Sequence, residues 1–228
     1  MLAIQTTGET LSLALKTGES LFTSELITPR ETLTSLAPAL KRLCEEAGCQ
    51  LAEVESLAVC IGPGSFTGIR IGVATAKALS QALGLPCYGI PSLLALACAV
   101  EDEAGEALCV LPAFASEYYL ATYSADSSGW RETSPVEGLP LEELTLRLAE
   151  AKAKGARLLT IGTAAGRALA ALESDAILLP EGYPLAAHIL ASAEKILAGA
   201  PEPAGFRDCA PIYVYRSQAE RALGLAVD

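Results

Sequence analysis

The chain has 228 residues, enough for one large domain or two small ones, and its 51% hydrophobic and 19% charged residues describe a folded globular protein. A net charge of −11 with no compensating lysine or arginine cluster excludes direct, tight binding to a phosphate backbone. Seven cysteines, odd in number and without a Cys-x-x-Cys pair, fit small hydrophobes in a reducing cytoplasm and exclude a disulfide framework.

The N-terminus shows no basic region followed by an apolar block, so no signal peptide is read. Three short strands are predicted over Leu2–Thr6, Leu11–Lys16 and Leu21–Ile27, joined by turns at Gly8-Glu9 and Thr17-Gly18-Glu19. A helix follows from Glu31 to Ala47, with Leu33, Leu36, Leu40, Leu43 and Ala47 on one face and Gly48 as its C-cap. Leu57–Ile61 reads as a buried strand. Next come the loop Gly62-Pro63-Gly64-Ser65-Phe66-Thr67-Gly68 and a helix from Ile69 to Leu83, closed by Gly84. Pro86–Ile90 is a further strand and Ser92–Val100 a short helix. The longest apolar run, 86–100, is too short to span a bilayer and contains Pro86 and Pro91.

The second half repeats the order. Ala107–Leu111, Tyr118–Tyr123 and Trp130–Thr133 are predicted strands, and Leu141–Lys152 a helix. Arg157–Ile161 is a strand, Ala164–Leu172 a helix, Ala176–Pro180 a strand, and Pro184–Leu197 a helix opened by its proline. Twice the chain runs three strands, helix, strand, helix, strand. This is an α/β protein resembling the ribonuclease-H-like tandem of actin, hexokinase and Hsp70 chaperones, the ASKHA fold. The subdomains are placed at 1–104 and 105–228, and 198–205 reads as a linker before Pro211-Ile212-Tyr213-Val214-Tyr215-Arg216.

Two constellations carry the functional question. The glycine loop joins a strand to a helix, where unpaired N–H groups can meet an anion. Gly62, Gly64, Ser65, Thr67, Gly68 and Arg70 are the expected contacts for such an anion or nucleotide, with Ser65 and Thr67 as helix caps. It is neither a Walker motif nor the dinucleotide fingerprint. The same spacing also suits a tight turn that lets the helix pack closely on the sheet. In the helix that follows, Gly68, Gly72, Ala76 and Ser80 recur every fourth residue beside a stripe of Ile69, Val73, Ala76, Leu79 and Leu83. This smooth face and Leu36, Leu40 and Leu43 of the preceding helix read either as a subunit interface or as internal packing. A charge at Val73 or Ala76 is expected to block association.

Catalytic chemistry finds few candidates. Folds of this architecture hold ATP between their halves, with a carboxylate at the first hairpin of each for magnesium. Here the first hairpin carries Gln5, the second reads Leu111-Pro112-Ala113-Phe114-Ala115-Ser116-Glu117, and only Glu9 and Glu117 lie nearby. His188 is the single histidine, so a zinc-protease pair cannot form. No base is available for a cysteine nucleophile apart from it. No metal site is assigned.

The run from Ile61 to Lys77, IGPGSFTGIRIGVATAK, resembles the signature of the bacterial TsaB (YeaZ) family. Weaker likeness covers Leu2–Ala14, Gly84-Leu85-Pro86, Ser92–Ala97, Glu117-Tyr118-Tyr119 and Pro211–Arg216. That family is the non-catalytic subunit of the machinery that makes threonylcarbamoyladenosine beside the tRNA anticodon. The resemblance implies a chain that is no enzyme by itself and requires no cofactor, with room for weak nucleotide binding at a subunit junction. It implies a homodimer when alone, a heterodimer with the catalytic paralogue TsaD, an assembly with the ATPase TsaE, and contact with tRNA only through the complex. The sequence departs from the family pattern at Gln5, at Thr32-Leu33 and at Pro112-Ala113-Phe114, where polar cleft residues are usual. The alternative is an ATPase or phosphotransferase of the same fold.

Overall fold

A computed structural model of the chain describes residues 1–28, 31–98, 105–113, 117–126, 129–155, 157–161, 177–179, 185–199, 205, 207 and 209–215. The first sheet takes β1 (Leu2–Gln5), β2 (Thr10–Thr17), β3 (Ser20–Ile27), β4 (Leu57–Gly62) and β5 (Cys87–Pro91) in the order β3-β2-β1-β4-β5. The second takes β6 (Gly105–Pro112), β7 (Glu117–Asp126), β8 (Gly129–Pro140), β9 (Arg157–Ile161) and β10 (Ile177–Leu179) in the order β10-β9-β6-β7-β8. The two orders are the same sequence of neighbours. In each sheet the first strand pairs antiparallel with the second and parallel with the fourth, as β1 does with β2 and β4, and β6 with β7 and β9. This is the duplicated ribonuclease-H-like α/β architecture of the ASKHA fold.

The helices are α1 (Thr32–Ala47), α2 (Phe66–Leu83), α3 (Ser92–Ala97), α4 (Leu141–Ala153) and α5 (Ala186–Gly199). Gly48 and Gly84 end α1 and α2 in the left-handed conformation, as their positions predict. The central strands β1 and β4 are buried along their whole length, which explains their unbroken apolar runs.

Each sheet packs on both faces, and alternate residues sort between them. Leu2, Ile4, Leu13 and Val59 meet Leu36, Leu40 and Leu43 of α1 and Ile69, Val73 and Ala76 of α2. On the opposite face Ala3, Ala14, Ala58 and Cys60 form a shallow floor for Ala186, Ile189, Leu190 and Ala193 of α5. In the second sheet Ala107, Cys109 and Leu111 meet Leu93, Leu96 and Ala97 of α3, while Leu108 and Val110 meet Leu144 and Leu148 of α4. The helices therefore cross over: α3 lies on the second sheet and α5 on the first. Burying each such leucine stabilises the fold by roughly 1.5–3 kcal/mol.

Three elements differ from the sequence expectation, the first being α3, which ends at Ala97 and not at Val100. Helix α2 begins at Phe66 instead of Ile69, because Ser65 caps it and draws Thr67 and Gly68 into the first turn. Strand β8 runs for 12 residues, well past Thr133. It is an exposed edge strand whose polar pattern hides it, and its irregular pairing with β7 is sealed by hydroxyls. Thr122 N–H donates to Ser134 Oγ at 2.9 Å and Thr133 Oγ1 donates to Thr122 O at 3.1 Å. The helix expected over 164–172, and residues 101–104 and 200–204, lie outside the described residues, while Ala198 and Gly199 of the expected linker end α5. No helix among the described residues is long and apolar enough to cross a membrane.

Candidate functional site: a sealed glycine loop and an apolar helix groove

Strand β1 delivers Gln5, Thr6 and Thr7 to the point where β4 passes into α2. Gln5 is buried, and its Oε1 accepts the Thr7 N–H at 2.8 Å, closing the hairpin with a neutral amide. Thr7 Oγ1 lies 3.6 Å from Cys60 Sγ. Burial pushes the Cys60 thiol up to about 11, so at neutral pH it is not a thiolate nucleophile. Among the described residues no three His, Cys, Asp or Glu side chains gather to hold a metal ion. A neutral amide at the end of β1 does not suit a nucleotide-held divalent cation, which takes carboxylate oxygens.

The glycine loop lies hard against this hairpin. Ser65 N–H donates to Thr7 O at 2.7 Å. A side chain at Gly64 would place its Cβ 2.5 Å from Thr7 O and 2.8 Å from Thr7 Cβ. A Cβ at Gly68 would collide with Thr6 O, and one at Gly72 with Thr6 Oγ1. Thr6 Oγ1 donates to Gly68 O at 2.7 Å, and Gly68 N–H donates to Ser65 Oγ at 3.3 Å. The N–H groups of Ser65 and Gly68 are thus spent on the protein itself. Thr67 is exposed in the first turn of α2 and caps nothing. Arg70 stacks its guanidinium 3.8 Å above the Phe66 ring and donates from Nε to Tyr213 Oη at 3.2 Å.

Between α1 and α2 runs an open groove of about 800 Å³. Leu33, Leu36, Ala37, Leu40, Thr75 and Leu79 line it, with Lys41 and Glu45 at its edge. Leu33 is 71% exposed. Leu36 and Leu40 are buried at its floor and Leu79 is half-exposed.

Residues 26–131 match a family model described as TsaD, tRNA N6-adenosine threonylcarbamoyltransferase. The protein named tRNA threonylcarbamoyladenosine biosynthesis protein TsaB from Escherichia coli strain K12 is 32% identical over 131 residues, 57% of this chain and 57% of the relative. Its namesake from Haemophilus influenzae is 33% identical over 124 residues, 53% of this chain and 52% of that protein. The chain thus spans little more than half the length of these curated relatives. A solved structure of YeaZ from Pseudomonas aeruginosa superposes with a TM-score of 0.76 at 25% identity, covering 93% of this chain and 98% of that one. The chain resembles the TsaB proteins over about half its length in sequence and YeaZ over nearly all of it in fold.

Within this chain the residues expected at a partner face divide sharply. Leu36, Leu40, Leu43, Ile69, Gly72, Val73, Ala76 and Ser80 are all buried in the single chain. Gly72 meets Thr6 and Val59, and Ser80 Oγ donates to Leu85 O at 2.5 Å. The smooth stripe of α2 is therefore turned onto the sheet, and a charge at Val73 or Ala76 would break the core before it could test an interface. Of the expected residues only Leu79 is half-exposed, while Leu36 and Leu40 form the floor of the groove. The accessible face is the neighbouring one: Leu33 and Ala37 on α1, and Ala74, Thr75, Ala78 and Leu79 on α2. Its signal in the sequence is the run of small and apolar residues on α2 opposite the glycines.

Proposed function

We infer that this chain acts in tRNA threonylcarbamoyladenosine synthesis as a non-catalytic scaffold and activator subunit, pairing through the α1–α2 groove with a TsaD-type catalytic paralogue. The groove carries this reading, because it is broad, apolar and built on two rigid helices. Gln5 supports it as well, since a neutral amide stands where a phosphotransferase of this fold needs a carboxylate. The net charge of −11 argues that tRNA meets the complex through its partners, within the cytoplasm. A TsaE-type ATPase completes the assembly. Alone, the chain covers the groove with a second copy of itself.

The test mixes the full chain with the TsaD-type protein of the same cell and follows co-elution in size exclusion. Leu33→Glu, on an exposed position, should abolish co-elution while thermal unfolding of the single chain stays unchanged. Leu79→Glu should abolish it too, with a lowered midpoint because Leu79 packs partly on the core. A charge forced into a covered apolar face costs several kcal/mol. Co-elution that survives both substitutions sinks the assignment. Calorimetry with ATP and magnesium on the isolated chain addresses the phosphotransferase reading, for which the expected result is no turnover.

A further inference from the structure

The segment 209–215 forms a strap that touches both halves. Ile212 N–H donates to Ile61 O at 2.8 Å, Tyr213 stacks on Phe66 at 4.8 Å, and Tyr215 stacks on Tyr119 of the second sheet at 5.4 Å. The strap begins at Cys209, which is completely buried against Cys87 of β5, also completely buried. Cys209 Sγ lies 3.3 Å from Cys87 Sγ and 3.3 Å from Cys87 O, so its thiol proton is directed at its neighbour. The approach is that close because Gly89 has no side chain; a Cβ there would stand 3.2 Å from Cys209 Cα.

We propose that Cys87 and Cys209 are a peroxide-oxidisable dithiol whose disulfide fastens the strap to the first sheet. A disulfide bond is about 2.05 Å long, so the sulfurs must close by a little over 1 Å. Side-chain rotation of two adjacent residues supplies that. The oxidant is hydrogen peroxide, which reaches the two fully buried sulfurs when the strap opens locally. One thiolate attacks a peroxide oxygen; the O–O bond breaks, hydroxide leaves and takes up a proton as water, and a sulfenic acid remains. The second thiolate attacks that sulfur and displaces hydroxide, which becomes the second water. Two thiols and one peroxide give one disulfide and two waters, with two electrons passing from sulfur to oxygen. The adjoining thiol and burial disfavour the thiolate of Cys87, so the attack runs through a minor deprotonated fraction and quickens as the pH rises.

The test takes the full chain, reduced and freed of thiol, treats it with a small molar excess of hydrogen peroxide, and maps its peptides by mass spectrometry without reduction. The expected product is a Cys87–Cys209 cross-linked peptide, two hydrogens lighter than its parts. Amide exchange at Ile212 should slow several-fold in the oxidised chain, and dithiothreitol should reverse both changes. Cys209→Ser should abolish the cross-link and the slowing together. Recovery of Cys87 and Cys209 as free thiols or as sulfinic acids, or cross-links confined to other cysteines, would overturn the proposal. Mapping of the unsubstituted chain decides this even if the serine variant fails to fold.

Discussion

Thr6 sets how closely α2 can approach the sheet. Its carbonyl and hydroxyl occupy the space that side chains at Gly68 and Gly72 would need, and its hydroxyl holds the Gly68 carbonyl. Gly68→Ala should therefore destabilise the chain by at least about 1–3 kcal/mol, the usual cost of overpacking, read as a lowered midpoint in urea. An unchanged midpoint would mean that the helix slides away without cost. His188 gives a second prediction at this scale. Burial holds its imidazole below the ordinary value of 6.5, and its Nδ1 accepts the Leu185 N–H. The folded state thus binds its proton less readily than the unfolded chain does. This contribution is fully present above pH 6.5 and drains away as the pH falls towards the lower folded value. His188→Gln should flatten the slope of stability against pH below 6.5. A slope that persists in the variant would assign it elsewhere.

At the scale of the element, the N-terminus of α2 rests on one side-chain cap. Ser65 Oγ accepts the Gly68 N–H at 3.3 Å, and Ser65→Ala should cost about 1 kcal/mol in denaturant unfolding, with Ser65→Gly costing only a few tenths. Equal losses in the two variants would show that the cap contributes nothing. Most of the elements are legible from pattern alone: the apolar runs of β1 and β4, the periodic leucines of α1, and Gly48 and Gly84 at the helix ends. Strand β8 is not, because an exposed edge keeps polar residues on both sides and reads like a loop. The orientation of α2 is not legible either. A glycine stripe announces close approach but not to what, and here the neighbour is Thr6 of the same chain. The sequence groups Leu33 with Leu36 and Leu40 as one stripe, although only Leu33 stands fully out in solvent; tertiary placement, not periodicity, separates them.

Across the whole molecule, the strap couples the two sheets. Tyr215 packs so closely over Gly138 that a side chain there would strike its ring, and it stacks on Tyr119. Tyr215 is half-buried, so Tyr215→Ala should cost about 1–3 kcal/mol, less than a fully buried aromatic, and lower the thermal midpoint of the full chain. A variant that melts like the parent would show that the strap merely rests on the surface. The crossing-over of α3 and α5 bears on what happens if the polypeptide is severed. A fragment ending at residue 98 would expose the alanine floor of its sheet, and the remainder would lack a lid for Cys109 and Tyr123. Neither piece should be self-sufficient, yet the two expressed together should find each other, making this chain a natural scaffold for split-protein reconstitution.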